Sequence, residues 1–403
     1  MKSKYITTVF LLMWASVLVS KELFLFGSLF YCFINLYNKK IRLDKAAKSV
    51  MIIALLHCFS IILYVLFYET ENNRVFAAFN TALSWIVASL GYSIAISNSS
   101  NSCNNSDINI EPILIFNTVV LDFLAGFSAF MQRSNRSLSF LGKQLYIREW
   151  INGTVTFRSS LFFEYCSLIT CFALINLGIL LRKDINKGKV FLMCLTIITV
   201  YFSKSRICFL AYLIFAAIVL YSWLKCSVKD IKIVYLSIGM IGIIALIVNL
   251  RNIEELVFEI LYARENSNVR RQSLYLLSLE TMWKVNPITG VGVKTMYEGA
   301  IPLGSHSTYI GILYKVGILG FILSISLFLN IVKAIFHYRN IVDVAFIIAF
   351  FIIFALEDID GTNWLVFYIF AYIATVHCME RESSKQKEHN ENINLNEVLY
   401  EKS

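Results

Sequence analysis

Charge is scarce in this chain and proline scarcer: 16% of its 403 residues are charged and three are proline, while 58% are hydrophobic. That balance excludes a soluble domain, which cannot hide so much apolar surface in a core. No C-x-x-C pair occurs among the nine cysteines, and most of them lie inside apolar runs, so they read as packing residues. There is no G-x-S-x-G and no P-loop, and no second His or Cys stands at metal-ligand spacing from His306. Serine hydrolysis, ATP turnover and zinc hydrolysis therefore lack support, and no cofactor is expected. The net charge of +9 does not indicate nucleic acid, because most Lys and Arg sit between apolar runs and form no contiguous basic face.

What is present is a series of long apolar runs separated by short polar stretches. This is the pattern of helices that cross about 30 Å of hydrocarbon with every backbone group bonded internally. The expected fold is an all-α polytopic membrane protein, a bundle of about twelve transmembrane helices. Spans are placed near 5–20, 23–38, 50–68, 75–97, 113–131, 161–181, 190–204, 207–224, 233–249, 306–330, 341–356 and 364–379. Residues 1–379 form a single transmembrane domain, and 380–403 reads as a disordered polar tail. Met1 to Ser20 imitates a signal peptide, but the many spans that follow favour an uncleaved first helix.

Orientation follows from the basic residues. With the amino terminus inside, the cytoplasmic loops receive Lys39, Lys40, Arg42, Lys45 and Lys48, then Arg182, Lys183, Lys187 and Lys189, then Lys225, Lys229 and Lys232, then Arg339. Both termini are then cytoplasmic, as expected of an inner-membrane protein. The Ser/Asn-rich stretch Asn98–Pro112 is the exception, inside by parity but without Lys or Arg. Two long loops, 132–160 and 250–305, fall outside, where chemistry can sit. In the second, Ile253–Tyr262 and Arg271–Lys284 carry apolar residues at helical spacing, including Leu274, Leu277 and Trp283, and predict short helices lying on the membrane.

These external loops are rich in arginine: Arg133, Arg136, Arg148, Arg158, Arg206, Arg251, Arg264, Arg270 and Arg271. Guanidinium is permanently charged and forks two donors toward phosphate oxygens, which suits a diphosphate headgroup and hence a lipid-linked substrate. The competing reading for any one of them is snorkelling to phospholipid phosphate. Arg206 stands apart, squeezed in Ser203-Lys204-Ser205-Arg206 between two apolar runs with almost no loop to solvate it. Of five histidines, only His306 is both external and at a helix start. A lone histidine is more often structural than catalytic, so its weight comes from that position.

Asp122, Glu164 and Lys315 are ionisable groups within spans and should face the bundle interior. Lys315 lies nine residues beyond His306, too deep to join it, and reads as structurally paired. Glu357, Asp358 and Asp360 form a last external loop that suits sugar binding, a base, or a solvated turn. Asn286-Pro287-Ile288-Thr289-Gly290-Val291-Gly292 reads by itself as a turn.

Together these residues look like a known signature. His306-Ser307, nine residues, then Gly317-Ile318-Leu319-Gly320 is similar to the H-[N/S/Q]-x9-G-x-x-G element of the O-antigen ligase and polymerase superfamily. Asn286 to Gly292 resembles the family's N-P-x-x-G-x-G, and Arg270 or Arg271 stands where its loop arginine is expected. Ser205-Arg206 resembles its S-R-x-x-x-L element, with Cys208, Phe209 and Leu210 in place of the usual small residues, and Arg158 resembles a further loop arginine. The resemblance covers roughly Thr154 to Phe336.

It implies a metal-independent, inverting glycosyl transfer on the outer membrane face, with an undecaprenyl-diphosphate-linked glycan as donor. His306 and Arg206 would then be catalytic, and Arg270, Arg271 and Arg158 would bind diphosphate or glycan. The tight Gly-Ser-His-Ser-Thr-Tyr form looks more like Wzy-type repeat-unit polymerases, which build O-antigen or capsular polysaccharide. An O-antigen ligase acting on lipid A core or another acceptor is the alternative. Expected partners are membrane lipids, the lipid-linked glycan, and a chain-length regulator and flippase of the same pathway. A flippase or other transporter is the competing class; such carriers show paired halves or broken helices, and neither is visible in the sequence.

Overall fold

The computed structural model describes residues 4–18, 21–38, 43–69, 71–101, 110–134, 136–151, 154–226, 265–297, 301–338, 340–359 and 365–380. The predicted span at 233–249, the helix expected at 253–262, Arg251, Arg264, Asp360 and the tail beyond Glu380 lie outside them.

In chain order the helices are α1 (Lys4–Leu11), α2 (Met13–Leu18), α3 (Lys21–Asn38), α4 (Lys45–Phe67), α5 (Asn72–Asn101), α6 (Glu111–Arg133), α7 (Ser167–Lys183), α8 (Lys187–Phe202), α9 (Arg206–Cys226), α10 (Glu265–Val285), α11 (Thr308–Tyr338), α12 (Ile341–Leu356) and α13 (Leu365–Glu380). Among the described residues, five helices are long and apolar enough to cross a bilayer: those starting at Lys45, Asn72, Glu111, Arg206 and Thr308. Residues 25–35, α12 and α13 are shorter apolar helices. The helical character expected from the sequence is present, while a count of about twelve spans goes beyond what length and apolarity give for the described residues.

Local chemistry sets the helix ends. The Asp44 carboxylate caps α4 by accepting from the Ala46 N–H, Asn186 caps α8 at the Lys189 N–H, and Asn340 caps α12 at the Val342 N–H. α7 is the centre of the bundle, with every residue but Lys183 buried. Around it pack α6, α8, α9 and α12, the last lying along α9. Asp122 of α6 accepts from Thr196 Oγ1 (3.0 Å) and Thr199 Oγ1 (2.6 Å) of α8, so this intramembrane carboxylate faces the bundle as expected. The described cysteines are free and buried or half-buried, as packing residues should be.

The polar ends of these helices fall into two groups. At one end Arg182 of α7 pairs with Asp343 of α12 (2.7 Å) and with Glu380 of α13, while Lys183 and Lys189 pair with Glu111 of α6. At the other end lie Ser167, the turn 203–205 and Glu357. Loop 132–160, expected as a long external loop, contains two hairpins: β1 (Ser139–Phe140) with β2 (Lys143–Gln144), and β3 (Tyr146–Ile151) with β4 (Thr154–Ser159), both antiparallel. A third ribbon pairs β5 (Met296–Tyr297) with β6 (Ile301–Pro302).

α11 is not one helix. At Gly317 the backbone takes φ 64°, ψ −168°, a conformation essentially reserved for glycine. This break corrects the expectation that no helix is broken, which hydropathy alone had no means to reveal. The gap is filled by the Asn286–Gly292 segment. Val291 N–H donates to Tyr314 O (2.8 Å) and Gly292 N–H to Lys315 O (3.0 Å), while Ile318 N–H donates to Pro287 O (2.9 Å) and Leu319 N–H to Ile288 O (3.1 Å). The four helix groups involved are those that a continuous helix would have joined as 318 to 314 and 319 to 315. These four backbone groups are thus satisfied by protein, as a break within an apolar spanning helix requires.

Candidate active site

The segment that fills the break also delivers the site. Asn286 Oδ1 accepts from the Ile288 and Thr289 N–H groups to turn the chain out of α10. His57 Nε2 meets Gly292 O at 2.8 Å, and Ser60 Oγ donates to Thr289 O, so α4 holds the segment from its other side. The motif read as a simple turn is therefore a turn followed by a strip of backbone bound between two helices. Beyond it, Lys294 Nζ forms an ion pair with Asp358.

His306 sits on the last residues before α11 with φ +66°, in the left-handed region, half-buried. Histidine tolerates this conformation better than most residues, and Tyr275 of α10 steadies it by donating its hydroxyl to His306 O at 2.7 Å. Burial is the main influence that holds the imidazole below its ordinary pKa, with Arg271, Lys294 and Arg270 adding to it and Asp358 opposing. At neutral pH the ring is uncharged and able to accept a proton.

Arg271 lies on the half-buried face of α10 and donates from Nη1 to Leu356 O (3.1 Å), at the end of α12; its Nη2 stands 4.0 Å from Glu357 Oε1. Arg270 is exposed on the same helix. The sequence left the tandem pair undecided, and the structure directs Arg271, not Arg270, onto α12. Arg158, on β4, donates from Nε to Ser203 O (3.2 Å) and also acts electrostatically on Glu357. Hairpin β3–β4 is thus the element that carries this arginine to the turn before α9. In that turn Lys204 adopts φ +54° with its ammonium over the Tyr201 ring, and Ser205 Oγ reaches Glu357 Oε1 at 3.5 Å. Arg206 follows as the first residue of α9, half-buried.

Glu357 is the residue whose place the sequence did not reveal. Read as a sugar-binding group, a base or part of a solvated turn, it is neither free in water nor at the rim: its side chain is 19% exposed, with Arg158, Arg271, Ser205 and Ser167 about it. Burial pushes its carboxyl above the usual range even with both arginines pulling the other way. Its carbonyl accepts from Thr308 N–H (3.1 Å) and Thr308 Oγ1 (2.7 Å), tying the end of α12 to the first turn of α11, directly after His306. The only signal in the sequence was an acidic residue directly behind an apolar run.

The remaining expectations divide. Lys315 is buried, its ammonium 5.1 Å from the Trp85 ring centre, two residues before the break at Gly317. Glu164 lies in the turn before α7 instead of inside the helix. Arg148 stacks over Phe157 within its own hairpin. Among the described residues no group of three or more His, Cys, Asp or Glu is placed to hold a metal ion.

None of the curated proteins matches the chain. Residues 191–325, which include Arg206, Arg270, Arg271 and His306, match the family model Wzy_C, described as O-antigen ligase. The flippase alternative finds no support there. Several apolar helices make the chain a multi-pass membrane protein, and its residues 191–325 are similar to the Wzy_C domain of the O-antigen ligase family.

Proposed function

We propose that this protein is a glycosyltransferase that polymerises undecaprenyl-diphosphate-linked oligosaccharide repeat units into O-antigen or capsular polysaccharide, on the external face of the inner membrane. The observation that carries this reading is the convergence of Arg158 and Arg271 on Glu357, with Arg271 also within electrostatic reach of His306. Guanidinium groups held in a partly dry site stabilise negative charge as it develops on a departing diphosphate. Arg206, opening α9 beside Ser205, supplies the nearest further guanidinium to that cradle in sequence.

The step is an inverting displacement. A hydroxyl of the acceptor sugar attacks the anomeric carbon of the donor from the side opposite the diphosphate. The carbon–oxygen bond to the diphosphate breaks, leaving undecaprenyl diphosphate, and the neutral His306 imidazole takes the hydroxyl proton. Glu357 positions Arg158 and Arg271, and His306 and Arg206 are the groups assigned to the reacting atoms.

A second reading keeps the chemistry and changes the acceptor: the matching model is described as O-antigen ligase, which favours transfer to lipid A core or another acceptor. Purified protein reconstituted with lipid-linked repeat units separates them. Ladders of growing chain on the lipid carrier support polymerisation, transfer only when a separate acceptor is added supports ligation, and no new glycosidic bond under either condition overturns both.

A further inference from the structure

Two buried polar atoms have no hydrogen-bond partner among the described residues: Ser305 Oγ, on the residue before His306, and Asp358 Oδ1, on the residue after Glu357. Ser305 is only 7% exposed and is set between two left-handed residues, Gly304 at φ +71° and His306 at φ +66°. Gly304 N–H donates to Ser278 Oγ of α10 (2.8 Å), so the backbone on which Ser305 sits is anchored. Asp358 follows Glu357; its Oδ2 pairs with Lys294 while Oδ1 stays open. Both Asp358 and Lys294 act electrostatically on His306, and Asp358 also acts on Tyr275, whose hydroxyl holds the His306 carbonyl.

Buried polar atoms in folded proteins are nearly always bonded, and those left open mark a place for water, an ion or a ligand. The chemistry here selects among these. An open carboxylate oxygen repels phosphate and accepts from hydroxyl groups, and a serine hydroxyl both donates and accepts. Lys294 adds donors beside them. We infer that Ser305, Asp358 and Lys294 form a subsite for the neutral, polyhydroxylated ring of the acceptor sugar, binding hydroxyls next to the one that His306 deprotonates. This rests on the glycosyl-transfer reading above and divides the site by charge: arginines for the diphosphate on the Glu357 side, and a carboxylate, an ammonium and a hydroxyl for the sugar on the Asp358 side.

The test is direct titration of the full-length protein in detergent with two probes: inorganic pyrophosphate, and repeat-unit oligosaccharide released by mild acid from the lipid-linked intermediates of cells carrying this chain. Ser305→Ala should weaken oligosaccharide binding about fivefold, the value of one neutral hydrogen bond. Asp358→Asn should weaken it roughly tenfold or more, as for a charge-assisted bond. Pyrophosphate binding should stay within twofold of wild type in both. Unchanged oligosaccharide binding in Ser305→Ala and Asp358→Asn, equal weakening of both probes, or no oligosaccharide binding by wild type each overturns the subsite. Wild-type protein that binds the sugar at this subsite yet forms no glycosidic bond overturns the enzymatic reading and leaves a glycan-binding site standing.

Discussion

Arg271 and Lys are both cations, yet they are not equivalent in this site. Arg271 uses one nitrogen for the Leu356 carbonyl while a second faces Glu357, a division that a single ammonium cannot reproduce. Arg271→Lys and Arg206→Lys are each expected to lower kcat at least about a hundredfold, as loss of a transition-state anion donor does. Wild-type turnover in either, measured on lipid-linked repeat units, would remove that residue from the diphosphate cradle. His306 gives a pH signature. Because its pKa lies below the ordinary histidine value, the base form persists below pH 6.5, and the acid limb of kcat/KM should fall there. Lys294→Met removes a repelling charge and unpairs Asp358; both changes favour the imidazolium, so the limb should move to higher pH. A limb that stays in place in this variant would show that another group titrates. Histidine and arginines were legible from residue type and position. Glu357 was not, since its burial is decided by α7, α9 and α10 closing round the end of α12, and none of that is local in sequence.

Gly317 and Gly290 work as a pair. A Cβ on Gly317 would stand 2.4 Å from Gly290 N, and one on Gly290 would stand 2.4 Å from Gly317 N. Gly317→Ala meets this clash in addition to a backbone penalty of about 1–3 kcal/mol. It should abolish accumulation of folded protein, or lower the melting temperature in detergent by more than Ser324→Ala does elsewhere in α11. A Gly317→Ala protein as stable as wild type would mean that the segment does not bind in the break. The spacing of the two glycine motifs was visible from the start, but apolar periodicity describes a straight and a broken helix equally well. Hairpin β3–β4 was missed for a different reason. Thr154-Val155-Thr156-Phe157 is rich in strand-forming residues and follows Asn152-Gly153, a strong hairpin signal, but length and arginine content alone mark 132–160 only as a long external loop.

The bundle as a whole has an end held by the Arg182 and Lys189 ion pairs and an end that carries the candidate site, joined by α7, α8, α9 and α12. Removing Arg182 would leave Asp343 buried without its cation, so Arg182→Ala should cost about 3–5 kcal/mol of stability. Thermal unfolding in detergent reads that loss, and a change under about 1 kcal/mol would show the pair to be hydrated. If the reactive end faces outward, a membrane-impermeant maleimide applied to intact cells should label Lys204→Cys and spare Asp184→Cys, in a background without reactive native thiols. The reverse pattern would invert the proposed orientation. Basic-residue bookkeeping assigns loops to sides, and the labelling pattern is what tests that assignment; the ion pairs of Arg182, Lys183 and Lys189 tie the 182–189 loop to the ends of α6, α12 and α13. The number of spans was harder to read, because short apolar helices such as α12 and α13 differ little in composition from long ones.

The stitch across α11 also bears on biogenesis. Residues 287–292 leave the ribosome before the helix whose missing rungs they provide. When residues 308–333 partition into lipid, the strip that pairs with their open peptide groups has already been synthesised. A nascent chain stalled just after α11 should therefore already resist protease at Gly290, whereas one lacking 286–292 should have α11 degraded or retained by the insertion machinery.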